Sequence, residues 1–449
     1  MRLRVLLMSS LASFMTPFMV SSLYVARPTI SKDLNADAVQ MSWVSLGYLL
    51  AAAMFLIPFG RLSDIHGRRK IFTYGILIFI LTSLLSSVAP TIELLILFRV
   101  LEGIGGAMIF GTGVAMLSAA YGRDKGKALG INVASVYTGL SLGPLIGGII
   151  TENLGWRFLF LLIVPFCLAI IMISLSVRKD WKEAHGESFD LLGSILYMIA
   201  LSTIIYGLSI LPDLSGILGM MIGIPVMVSF IILELKIKEP VFQVRLFKNR
   251  TFAFSSMAAL ITYVSTFAIG YMLSLFLQYA KGISPERAGL ILIAQPVAMA
   301  LFSPVFGRLS DRIEPRTLAT AGILIMTAGL FTIAAIGPDT SIRYVIIGLA
   351  IIGFGFSVFS SPNMNAIMGS VDKRYLGIAG STLATMRLLG QMLSMAIATM
   401  MLSLIIGKVQ ITQKVVSDFM TAFSMTFIIF SVLCLTGILI SAFRGRLRA

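Results

Sequence analysis

Residues Gly60–Lys70 read GRLSDIHGRRK at the end of a long apolar run. The first five return unchanged as Gly307–Asp311, in GRLSDRIEPR, again just after an apolar run. A single five-residue identity carries little. Two copies at equivalent places in two hydrophobic halves mark an internal repeat, and so a duplicated membrane unit.

Composition agrees with that reading. The chain is 57% hydrophobic and 12% charged, with a mean hydropathy of +0.96, whereas soluble domains carry about twice that charge. Its apolar runs reach the roughly 20 residues needed to cross a bilayer. The +15 net charge lies in short loops between these runs, which points to membrane sidedness and away from nucleic acid. Cys167 and Cys434 fall inside apolar runs, and His66 and His185 lie far apart, so neither a disulfide framework nor a metal site is expected. No cofactor is implied. The opening MRLRVLLMSSLASFM has the look of a signal peptide, but the apolar run continues to about Val25 and is read as an uncleaved span.

Fourteen spans are expected, near 5–26, 41–60, 71–89, 94–119, 128–151, 156–177, 190–211, 215–234, 252–277, 287–306, 317–337, 343–362, 376–405 and 420–443. With the N-terminus inside, the inner loops hold most of the basic residues, among them Arg2, Arg4, Arg61, Arg68, Arg69, Lys70, Lys236, Arg245, Lys248 and Arg444. The outer side holds Arg27, Lys32, Arg157, Lys281, Arg287, Arg343, Lys408 and Lys414. That bias places both termini in the cytoplasm of a multi-pass cell-membrane protein. Trp43, Trp156 and Trp181 stand at span ends and suit interfacial anchors.

GxLxD followed by GRR resembles the loop between helices two and three of the major facilitator superfamily. The linker EPVFQVRLFKNRTF (Glu239–Phe252) is similar to that of the superfamily's fourteen-spanner branch, the drug:proton antiporters. The resemblance implies an all-α integral membrane fold of two six-helix bundles plus two inserted helices. Its expected domains are 1–180, an inserted pair with linker over 181–251, and 252–449. Asp64 and Asp311 sit at helix ends, where an acid meets a helix N-terminus or a cation. Resemblance makes them, with Arg61 and Arg68, the inner gate of alternating access.

Gly139, Gly143, Pro144, Gly147 and Gly148 form GLSLGPLIGG. Glycines four apart let another backbone approach, and on the residues alone small-residue packing explains them. GxxxGPxxGG also resembles the motif of exporters in this superfamily, which implies outward transport. Glu102 is the one acid read deep in a span, about 13 Å along a helix from Glu93, near the middle of a roughly 30 Å core. Arg99 lies one turn away on the same face, and Arg387 is the other deep charge. RxxxG resembles the superfamily's helix-four motif, whose arginine is linked to proton transfer. The branch often carries an acid on helix one, and here Met19 stands in its place. Glu102 is therefore a candidate proton site and Arg99 its partner; a static pair that merely joins helices is the other reading.

The resemblance draws the rest of the cavity from helices one, two, four and five and their partners nine, ten, twelve and thirteen, with Met19, Tyr24, Asn132, Tyr137, Tyr263, Gln295, Met299, Arg387 and Gln391 as candidates. The expected function is proton-coupled efflux of amphipathic or lipophilic organic compounds, with a small-molecule substrate, protons and the lipid bilayer as partners, by a monomer and not an enzyme. An importer or facilitator of a defined metabolite is the alternative within the same fold, and a non-transporting scaffold or sensor the alternative outside it. No GxxxxGK[ST] phosphate loop occurs, which argues against an ATP-driven pump.

Overall fold

Among the described residues of the computed structural model, fourteen helices are long and apolar enough to cross a bilayer. They are α1 (Arg2–Asp33), α2 (Ala38–His66), α3 (Arg68–Ser87), α4 (Ile92–Tyr121), α5 (Ala128–Asn153), α6 (Arg157–Leu175) and α7 (Leu191–Ser209). After them come α8 (Leu214–Lys236), α9 (Arg250–Ala280), α10 (Pro285–Leu309), α11 (Pro315–Ala334), α12 (Ile342–Gly369), α13 (Ile378–Ile405) and α14 (Val416–Phe443). The structure describes residues 1–122, 125–177, 179–182, 189–237, 240–310, 312–371 and 376–445, and no strand occurs among them. The all-helical, fourteen-span reading of the sequence is the one observed.

Several helices outrun their apolar stretches. The first ends at Asp33, beyond Arg27 and Lys32, because hydropathy measures lipid depth while the backbone ladder continues until a cap or breaker stops it. Asp37 and Gln40 form a capping box at the start of α2, and Thr91, Asp190, Asn249 and Ser341 cap α4, α7, α9 and α12. Such caps occupy backbone N–H groups that lack helical partners. Inside α9 the ladder breaks after Thr266, and Ser394 Oγ on α13 accepts the Ala268 N–H at 3.0 Å. A neighbouring helix thus satisfies the backbone group that lipid cannot.

The chain packs as two units, Met1–Phe242 with Ser284–Glu286, and Gln243–Ile283 with Arg287–Ala449. In the first, α1 packs on α5 and α6, α2 on α4, and α3 on α4 and α6. In the second, α9 packs on α13 and α14, α10 on α12, and α11 on α12 and α14. The second pattern is the first displaced by eight helices. The α7–α8 hairpin belongs to neither copy; its two helices pack on each other, and α7 rests on α2, where Tyr206 meets Trp43 and Tyr197 donates to the Ala53 carbonyl.

Glycine contacts carry the repeat into atomic detail. A Cβ on Gly75 would lie 2.9 Å from the Gly105 carbonyl, and one on Gly322 would lie 2.7 Å from that of Gly355. A Cβ on Gly103 would strike the Tyr48 carbonyl and Ala51, and one on Gly353 the Gln295 carbonyl and Ala298. The same spacing separates Gly60 from Gly307, Gly75 from Gly322 and Tyr48 from Gln295. Equivalent helices therefore approach through equivalent small residues.

Three expectations need correction. Trp156 and Trp181 are buried, not free interfacial anchors; Trp156 donates its indole N–H to Asp33 at 3.0 Å. Arg27, assigned above to the outer loops, lies inside α1 and is fully buried. Charge burial is also wider than the sequence reading allowed, since Glu234 and Arg444 are each 1% exposed. Each long polar side chain is held by groups distant in the chain or beyond its own helix, which span-by-span hydropathy does not register.

Candidate functional site

The first unit's polar centre is built on α4. Arg99 and Glu102 lie three residues apart on one helix face, with Arg99 Nη1 2.7 Å from Glu102 Oε2 and both side chains at 0% exposure. From α2, the Val44 carbonyl accepts Arg99 Nε at 3.1 Å, and the Tyr48 ring lies under the guanidinium at 4.5 Å. From α3, Ser83 donates to Glu102 Oε1 at 3.4 Å. Tyr48 Oη and Arg99 Nη2 are buried without a hydrogen-bond partner among the described residues.

The glycines of LEGIGG make this possible. Gly103 lets the α2 backbone come close, and Gly106 leaves room for the Tyr48 hydroxyl, which a Cβ would meet at 2.7 Å. Sequence reasoning found the pair but not Val44, Tyr48 or Ser83. The duplication supplies a control inside the same molecule. By the register of Gly103 with Gly353 and Gly105 with Gly355, Arg99 corresponds to Leu349 and Glu102 to Ile352, both fully buried. The helix packs in the second unit with two aliphatic side chains, so packing alone does not call for an ion pair.

The α5 motif faces α1. A Cβ on Gly139 would strike the Phe14 carbonyl, one on Gly143 would meet the Phe18 carbonyl at 2.9 Å, and one on Gly147 the Ser22 backbone at 2.7 Å. Pro144 lies within the same helix, and Gly148 faces the backbone of Glu286, which clusters with this unit. Of the cavity candidates on these helices, Met19 and Tyr24 are buried, and the Arg27 guanidinium stands 5.3 Å from the Tyr24 ring. Arg27 also donates to Ser45 on α2. Asn132 is buried, donating to the Ser9 carbonyl at 3.1 Å and to Ser13 at 2.8 Å, and Tyr137 is half-buried.

The remaining candidates belong to the second unit. Tyr263 meets Phe356 edge-on at 5.7 Å, and its Cβ lies against Gly390 on α13, the helix that carries Arg387 and Gln391. Gln295 and Met299 lie on α10, where the Gln295 carbonyl faces Gly353.

The gate motif closes on itself. Asp64 Oδ1 is 2.7 Å from Arg68 Nε across the break between α2 and α3, and Arg68 also reaches the Ala115 carbonyl on α4 at 3.5 Å. Arg61 is half-buried on the last turns of α2. Gly67 has φ +120, and the Asp180 carboxylate occupies the space of its missing Cβ. Asp180 accepts the Arg69 backbone N–H at 2.8 Å, and the Trp181 carbonyl accepts that of Arg68 at 3.0 Å. Asp180 thus caps α3 at its positive end, a role that sequence reasoning missed. Asp311 lies outside the described residues.

With that geometry in place, comparison with known proteins decides the family. The model of the Major Facilitator Superfamily matches residues 9–235 and 255–448. The chain belongs to the major facilitator superfamily. Among its superfamily relatives is the riboflavin transporter RibZ of Clostridioides difficile (strain 630), 30% identical over 98% of this chain and 96% of that protein. The multidrug resistance protein B homolog of Mycobacterium tuberculosis (strain H37Rv) is 30% identical over 88% of this chain and 74% of its own length. Two solved structures share the fold. A bacterial homologue of the human lysosomal transporter Spinster, inward-facing and unoccupied, has TM-score 0.68, 17% identity and coverage of 98% and 96%. A variant of the nucleoside transporter NupG has TM-score 0.68, 12% identity and coverage of 98% and 99%. This superfamily member is a multi-pass membrane transporter of a small molecule.

Proposed function

We propose that this transporter exports amphipathic or lipophilic organic compounds from the cell in exchange for protons, working as a single copy in the cell membrane with both termini cytoplasmic. The observation that carries the reading is the Arg99–Glu102 pair, fully buried on α4 and replaced by Leu349 and Ile352 in the other repeat. A buried ion pair is costly to desolvate and is often no better for stability than aliphatic side chains, so keeping it in one repeat favours a functional role. Ionised Glu102 holds Arg99. A proton on Glu102 cancels that charge and releases the guanidinium, giving two states that a proton arriving from outside and a substrate entering from inside bias in opposite directions. The GPxxGG motif on α5 and the relatives named for multidrug resistance support export. The test is growth of an expressing strain against a panel of toxic lipophilic compounds, with and without a proton uncoupler. Protection that the uncoupler abolishes is expected; no protection against any compound would remove the export reading.

The 30% identity to RibZ over nearly the whole of both chains favours a second reading, a carrier for one defined metabolite. The direction of accumulation in inside-out vesicles separates the two, since an exporter fills them.

Topology and gate give two further expected results. A cysteine label near Lys414 reacts from outside the cell and one near Lys248 does not; the reverse pattern overturns the orientation. Asp64→Asn removes the carboxylate that holds Arg68 and shifts the resting population toward inward-facing. A tenfold change in that ratio corresponds to about 1.4 kcal/mol. Unchanged accessibility of inner-cavity cysteine probes in Asp64→Asn would leave the motif as a topology signal alone.

A further inference from the structure

The α7–α8 hairpin takes no part in either repeat, yet it holds a buried acid that the transport reading leaves unused. Asp190 caps α7, its Oδ1 accepting the Gly193 N–H at 2.8 Å. Glu234, in the last turn of α8, is 1% exposed, and its Oε2 accepts the N–H of Phe242 at 2.8 Å. One oxygen remains on each carboxyl. Asp190 Oδ2 and Glu234 Oε1 are both buried and have no hydrogen-bond donor among the described residues. They converge on one point: a Cβ on Gly193 would meet Glu234 Oε1 at 2.6 Å and would strike Asp190 Oδ2.

No described cation balances the two acids. Lys236, the basic residue in the last turn of α8, is exposed. On the neighbouring α2, the Trp43 ring and the Ala53 carbonyl meet α7. Two adjoining carboxylates out of water do not both stay ionised. A single proton turns their repulsion into a short charge-assisted O–H···O bond. A hard metal cation fits poorly, because it takes six or more oxygen ligands and two unpartnered carboxyl oxygens converge here.

We infer that Asp190 and Glu234 hold one proton between them, forming a second protonatable site that fastens the end of the inserted hairpin to the chain leaving it at Phe242. The inference is independent of the Arg99–Glu102 reading and survives its failure.

The test uses the full-length protein in lipid nanodiscs, by infrared spectroscopy and by hydrogen–deuterium exchange at Phe242. At neutral pH the wild type shows the stretch of a protonated carboxyl that is absent in both Glu234→Gln and Asp190→Asn. In each variant the new amide donates in place of the proton and leaves the other carboxyl ionised. Asn caps a helix as well as Asp does, so Asp190→Asn keeps the start of α7. Phe242 stays protected in Glu234→Gln, whose amide oxygen still accepts its N–H, and exchanges at least about tenfold faster in Glu234→Ala, a loss of about 1.4 kcal/mol of local protection. Identical carboxyl bands in wild type and both amide variants would overturn the proposal. So would a band that appears only after sodium, potassium and divalent ions are removed, since a metal ion would then occupy the site.

Discussion

Glu102→Gln leaves substrate exchange within about twofold of wild type and abolishes uphill export driven by a pH gradient, a loss of at least about tenfold in accumulation. Glutamine preserves the shape of the side chain and accepts a hydrogen bond from Arg99 through its amide oxygen. It neither carries the charge that holds the guanidinium nor gains and loses a proton, so the variant is fixed in the proton-bound state. Exchange, which needs no net proton movement, is expected to continue. Paired measurements in the same vesicles, gradient-driven flux against exchange, separate the two. Full gradient-driven export by Glu102→Gln would place the proton site elsewhere and reduce the pair to a joint between helices.

Arg99→Leu and the double variant Arg99→Leu/Glu102→Ile part company in stability. The single change strands a carboxylate at 0% exposure beside Ser83 and Tyr48, at a cost of about 3–5 kcal/mol if it stays charged. Its expected signature is a lower thermal midpoint in detergent and poor yield. The double change writes the second repeat's Leu349 and Ile352 into the first, restores a neutral core and recovers wild-type stability or exceeds it by about 1–4 kcal/mol. Transport against a gradient stays absent in both. A double variant as unstable as the single would mean that Val44, Tyr48 and Ser83 need the charged pair to pack, and a double variant that still exports against a gradient would remove the pair from the mechanism.

Much of the site was legible because its chemistry is local in sequence. Arg99 and Glu102 share a face of one helix, so their spacing alone predicts the contact. The glycines of GLSLGPLIGG announce a close approach, and α1 is what approaches. Tyr48, Val44 and Ser83 were not legible as partners of the pair, since they come from two other helices. Asp180 was hidden for a similar reason. Its partner Gly67 lies in a motif, but the positive φ and the missing Cβ acquire their meaning when the chain after α6 returns to the start of α3. Arg27 was misplaced because hydropathy puts a basic residue near a span end into water, while α1 continues past it and α2 offers Ser45.

The sequence by itself determined that this is a fourteen-span, duplicated membrane protein. Hydropathy adds up residue by residue over a span, and a repeat is visible as identical letters. Tertiary structure alone decided which side chains meet. The spans are apolar nearly all round, so no amphipathic stripe sets how far each helix turns about its axis or how deep it sits. That rotation is fixed by glycine contacts between helices, such as Gly103 on Tyr48 and Gly353 on Gln295. It places Tyr48 under Arg99 in one unit, and in the other puts Leu349 and Ile352 where the charges would be.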